Sequence, residues 1–219
     1  MASDPSIVAP RASRTLTWLS DTPGGGEYSP LPMPGGSAIS AIRLDTTGLQ
    51  RLYEYRDGES HLLFPDLKVG YQVWAGPDLV VCTVLTDPGM DLVVARPGSG
   101  IYQTHQKGVG RALQKIPGTE LISYTTSEAG VWSVQSLDPV SGATGLVAHL
   151  PEGVQDFCWL PDGSLLCGGD GVLRRLRPGQ DSDWQVVHRF EAGFGQISRL
   201  AVNEAGNLLA LVAEPNQKP

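Results

Sequence analysis

Residues 160–179 read "LPDGSLLCGGDGVLRRLRPG". Three turn signals fall inside this stretch: Pro161-Asp162-Gly163, Gly169-Asp170-Gly171 and Pro178-Gly179. Proline fixes φ ahead of a bend, aspartate accepts hydrogen bonds from the amides that follow, and glycine takes positive φ. Between the turns lie "SLLC" and "VLRRLR", each long enough for one short strand. The stretch therefore reads as part of an antiparallel meander.

The same plan recurs along the chain. Strand-turn-strand units centre on Gly35-Gly36, Gly76-Pro77, Gly118, Asp162-Gly163 and Ala205-Gly206. Their spacing is roughly 41 to 44 residues, the period of propeller blades. The first strands are "EYSPLPM", "GYQVWA", "RALQKI", "QDFCWL" and "ISRLAV". Second strands follow each turn, as in "LVVCTVL" and "SLLCGG", then third strands such as "LQRLYEYR" and fourth strands such as "IYQTH". Apolar residues come in alternating or short continuous runs bounded by Gly and Pro, with no amphipathic helix.

The fifth unit stops after two strands. The start of the chain supplies a match for the rest: "SIVAPRASRTLTWL" sets against "LVVARPGSGIYQTH", a third strand, turn and fourth strand. The expected fold is all-β, a five-bladed β-propeller of four-stranded antiparallel blades. The blades run roughly 27–66, 70–108, 111–152, 154–194, and 197–214 plus 6–20. Pairing strands from both chain ends in the last blade would clasp the ring and hide a bare sheet edge.

Bulk properties agree with this reading. With 219 residues, 41% hydrophobic and 18% charged, the chain is long enough for a sizeable core. Its 27 glycines and 17 prolines suit many short strands joined by tight turns. A net charge of −7 with no basic stripe argues against a nucleic-acid partner. No apolar stretch reaches the roughly 18 residues of a membrane span. The first residues lack the apolar core of a signal peptide, so a cytoplasmic location is expected for the chain as written, and an exported one if it is trimmed.

Three cysteines, Cys82, Cys158 and Cys167, with no CxxC pair, argue against a disulfide framework or a zinc site. Cys158 and Cys167 stand equally far from the Asp162-Gly163 turn. A two-residue hairpin there would set them opposite each other, within reach of a bond.

The segments "FCWLPDGSLL", "EYSPLPMPGGSAIS" and "RLAVNEAGNLLALVAE" resemble the repeat of TolB-type, WD40-like (PD40) propellers. Residues 160–164 match its turn best; the copies starting at Gly70 and Arg111 lack the motif and are placed by register. The resemblance covers most of the chain in five imperfect copies. It implies a bacterial TolB-like propeller. Members of that group are commonly exported and often have six or more blades; five units without a signal depart from this, and the expectation is either a complete five-bladed ring or a piece lacking about one blade near Met1.

Searching for chemistry yields little. The sequence has no GxSxG, no HExxH, no P-loop and no GxGxxG opening a helix. His61, His105, His149 and His188 fall one in each predicted fourth strand, roughly 14 Å outward from the first. Such strands diverge, so no metal site is expected of them, and no cofactor is implied. Trp18, Trp74, Trp132, Trp159 and Trp184 read mostly as packing between blades, with Trp74 and Trp159 at equivalent positions.

The starts of the first strands converge at one mouth of the ring. They supply Glu27, Tyr28, Ser29, Tyr71, Gln72, Arg111, Gln155, Asp156, Ser198 and Arg199, a mixed polar, aromatic and charged set. The expectation is a non-catalytic scaffold with a protein-interaction or ligand-binding face there. Arg111 and Arg199 would anchor an anion, the tyrosines would give contact surface, and the partner would be another protein. Three other readings stand beside it. The set can simply coat a wet channel and pair internally. A five-bladed glycoside hydrolase would need two carboxylates roughly 5–9.5 Å apart, for which only Glu27 and Asp156 are placed. A sugar-binding propeller would need like residues in every blade, whereas these columns differ.

Overall fold

The loop at 160–164 closes more tightly than a bend of unspecified type requires. The Leu160 amide donates to the Ser164 carbonyl (2.7 Å) and the Gly163 amide to the Leu160 carbonyl (3.0 Å). Asp162 Oδ1 accepts the Ser164 amide at 2.9 Å, and Gly163 has φ +81°. Three residues therefore bridge the strands, a type I turn followed by a left-handed glycine. One residue more than a two-residue loop shifts the register: Phe157 faces Cys167, and Cys158 faces Leu166. Cys158 packs on one side of its sheet and Cys167 on the other, both as buried free thiols. The expected facing pair is thus corrected by the loop length.

The computed structural model describes residues 25–191 and 194–215. The first sheet is β1 (Gly26–Pro32), β2 (Ile39–Leu44), β3 (Gln50–Arg56) and β4 (Glu59–Leu62). The second is β5 (Val69–Gly76), β6 (Leu79–Thr86), β7 (Gly89–Arg96) and β8 (Ile101–Gln106). The third is β9 (Val109–Lys115), β10 (Ile122–Glu128), β11 (Val131–Leu137) and β12 (Thr144–His149). The fourth is β13 (Phe157–Trp159), β14 (Leu165–Gly169), β15 (Val172–Leu176) and β16 (Gln185–Arg189). A fifth holds β17 (Phe194–Val202) and β18 (Leu209–Pro215).

Every pairing is antiparallel between chain neighbours, and no helix occurs among the described residues. The four histidines stand on β4, β8, β12 and β16. The expected closing strands within 6–20, and Trp18, lie outside the described residues.

Successive sheets pack face to face through apolar layers. Ile42, Leu52 and Phe64 meet Val69, Trp74 and Val80 between the first and second. Val81 and Val94 meet Ile122, Tyr124 and Leu137 between the second and third. Val134 and Leu150 meet Phe157, Leu165 and Cys167 next, and Leu166 and Leu173 meet Ile197 and Leu200 last. Each layer buries branched side chains that would otherwise contact water, at about 25 cal/mol per Å².

The equivalence of two tryptophans has a polar cause. Trp74 Nε1 donates to Ser40 Oγ, and Trp159 Nε1 donates to Ser123 Oγ, each at 2.8 Å. A serine on the second strand of one sheet thus receives the indole from the first strand of the next sheet, at the junction of the first and second sheets and again at that of the third and fourth. Buried hydroxyl and indole satisfy each other, which sets how the sheets meet.

Candidate functional site

First strands are the innermost, and four of the five carry β-bulges. The register shifts between Tyr28 and Leu31 on β1, and between Val69 and Tyr71 on β5. It shifts again between Val109 and Leu113 on β9, and twice between Phe194 and Arg199 on β17. A bulge adds residues to one strand only, bends it and re-aims the side chain beside it. Gly110 shows why the sequence permits this. A Cβ there would collide with Thr125 Oγ1 and come within 2.8 Å of the Trp132 ring. Only a residue without a side chain lets β9 sit this close while Arg111 turns toward the axis.

Five of the expected residues meet there. Arg199 Nη1 lies 3.0 Å from Asp156 Oδ2, and Arg111 Nε lies 3.4 Å from the same oxygen. Arg111 Nη2 donates to the Ser198 carbonyl (2.6 Å), and Arg199 Nη2 to the Tyr71 hydroxyl (3.4 Å). The second, third, fourth and fifth sheets therefore contribute to one cluster across the axis. Asp156 is buried, while the two arginine side chains stay 33% and 40% exposed. Burial pushes the Asp156 carboxyl above the usual carboxylate range, against the pull of Arg111 and of the Phe157 amide. Two guanidinium groups thus face one carboxylate, and Arg111 Nε has no hydrogen-bond acceptor.

The other expected residues stand elsewhere. Gln72 is buried between the first and second sheets: its Oε1 accepts from Ser40 Oγ (2.8 Å), and its Nε2 donates to the Ser29 carbonyl (3.1 Å). Glu27 accepts from the Tyr55 hydroxyl at 3.3 Å on the first sheet. Burial pushes that phenol up to about 12, so it remains a donor. Tyr28 is exposed, its hydroxyl folded back over Gly26. Gln155 is exposed just before β13.

Sequence reasoning missed the other end of the axis. A cavity of about 510 Å³ lies where the first strands finish, lined by Leu31, Val73, Leu113, Trp159 and Val202 from all five sheets. The signal was present in the repeat, since these residues directly precede the first turns, but each reads there as core.

No protein-family model matches the chain, and a search of curated proteins finds no relative. Solved structures do resemble it. A TolB-type protein of Agrobacterium tumefaciens has TM-score 0.64 and 14% identity over 89% of this chain and 72% of its own. TolB of Acinetobacter baumannii has TM-score 0.58 and 15% identity over 77% of this chain. This chain spans only 44% of that protein's length. Virginiamycin B lyase of Staphylococcus aureus has TM-score 0.57 and 12% identity, over 85% of this chain and 63% of its own. At such identities the likeness is one of fold, and the chain is a β-propeller of TolB-like architecture.

Proposed function

We propose that the chain is a non-catalytic binding module whose channel mouth takes an anionic group, a carboxylate side chain or chain end, from a partner protein. One observation carries this reading: Arg111 and Arg199 converge on the single carboxylate of Asp156 and remain partly exposed. The surplus positive charge sits in a chain of net charge −7, so it is a local feature rather than a general one. Guanidinium groups suit carboxylates because their donors are fixed in a plane. Similar folds serve both TolB and a lyase, so fold alone does not choose between binding and catalysis.

The test is titration with succinate and with a short peptide ending in a free carboxylate, read by calorimetry. Arg199→Gln and Arg111→Gln should each weaken binding about tenfold. A peptide amide should bind less well than the free acid. Equal binding by the free acid and the amide, or by the wild type and both variants, would refute the reading.

A further inference from the structure

The cavity where the first strands finish shares no lining residue with the arginine cluster of Tyr71, Arg111, Asp156, Ser198 and Arg199. The walls of the cavity are apolar: Leu31, Val73, Leu113 and the Trp159 indole face it from four sheets. Its polar lining divides into two kinds. Gln72, Gln114 and Asn203 are consumed by the fold. Gln72 bonds Ser40; Gln114 donates to the Phe157 carbonyl (2.8 Å) and accepts the Trp159 amide (3.3 Å); Asn203 bonds Asn207 (2.8 Å).

Lys115 and Glu204 remain. Both are exposed, they come from the third and fifth sheets, and neither is in an ion pair among the described residues. An apolar hollow therefore carries one ammonium and one carboxylate that do not neutralise each other. Its volume falls within the roughly 300–1,000 Å³ of small-molecule sites.

We infer that this cavity binds a small zwitterion with an apolar body: an unblocked apolar amino acid or dipeptide. The ligand's carboxylate meets Lys115, its ammonium meets Glu204, and its side chain lies on Leu31, Leu113 and the Trp159 ring. Charge complementarity selects this class over a simple hydrocarbon or a singly charged amphiphile. An apolar wall alone rewards any greasy body, whereas two opposite charges discriminate by their own pairing.

Calorimetric titration of the full chain with L-phenylalanine and with leucyl-leucine distinguishes the two ligand sizes. Phenethylamine, 3-phenylpropionate and N-acetylphenylalanine amide serve as controls lacking one or both charges. Saturable binding of at least one zwitterion, weakened about tenfold by Lys115→Gln and by Glu204→Gln, is expected. Each control should bind about tenfold or more weakly than the amino acid. Arg199→Gln removes any carboxylate binding at the other mouth and should leave the Lys115- and Glu204-dependent binding in place. No saturation by either zwitterion, equal binding of the blocked amide, or indifference to both charge changes would overturn the inference. Both variants are at exposed positions, and circular dichroism of each checks that it is folded.

Discussion

Two aspartates are buried to nearly the same degree, Asp45 at 6% and Asp156 at 7% exposed, yet they are held in opposite ways. Asp45 follows β2 and is ringed by donors. The Thr47 amide (2.9 Å) and hydroxyl, Arg51 Nε (2.7 Å) and the Tyr53 hydroxyl (2.9 Å) all point at it. The Thr47 hydroxyl leads in holding its carboxyl well below the usual range, with Arg51 and Tyr53 adding to the effect. Among the described residues Asp156 accepts one amide besides its arginines, and burial pushes it the other way. The difference teaches where structure ends and site begins. A carboxylate saturated by its own sheet fastens a turn, whereas one shared between sheets at the axis is left under-solvated and exchangeable.

Substituting both residues alike tests the contrast. Asp45→Asn should lower the melting temperature most, by roughly 5 °C or more, because several charge-assisted bonds are lost at once. Anion binding should not change. Gly110→Ala should come next, at about 1–3 kcal/mol in urea unfolding, with binding at the mouth lost too, since β9 must move and Arg111 with it. Asp156→Asn should change stability by no more than about 1 kcal/mol, because removing a buried charge offsets the lost pairing. The same change should tighten succinate binding, as both arginines lose their internal competitor. If Asp156→Asn destabilises as much as Asp45→Asn, the contrast fails.

Acidity sharpens it further. The folded-state pKa of Asp45 is lowered, so its contribution is complete above about 4, its unfolded value, and is lost as pH falls below that. The Asp156 value is raised in the fold, so its destabilising charge is relieved earlier, as pH falls through the folded value toward about 4. Succinate binding, corrected for the ligand's own titration, should strengthen in that upper window. Wild-type and Asp156→Asn proteins should converge there, while the Asp45→Asn gap stays open until lower pH.

The strand plan was legible because its punctuation is local. Gly163, Gly171 and Gly206 all take the positive φ that their turns demand, and strands fall between them. Loop length was less legible: Pro161-Asp162-Gly163 fits both two- and three-residue closures, and the choice moved Cys158 away from Cys167. Tyr71, Arg111, Asp156, Ser198 and Arg199 were found by laying the repeats in register. That such residues can pair internally is one of the readings the sequence allows; which partners meet is not legible, because bulges depend on how two strands meet. Gly70, Gly110 and Gly195, set inside first strands, are the local hint of them. Gln72 looked like its neighbour Tyr71 but faces Ser40, a contact made across two sheets.

The bulged first strands have one more consequence. Because the extra residues lie outside the apolar layers, the side chains at 71, 111, 198 and 199 are uncoupled from the packing that keeps the sheets together. A randomised library confined to those positions would vary recognition while the scaffold stays constant, as interchangeable heads on one handle.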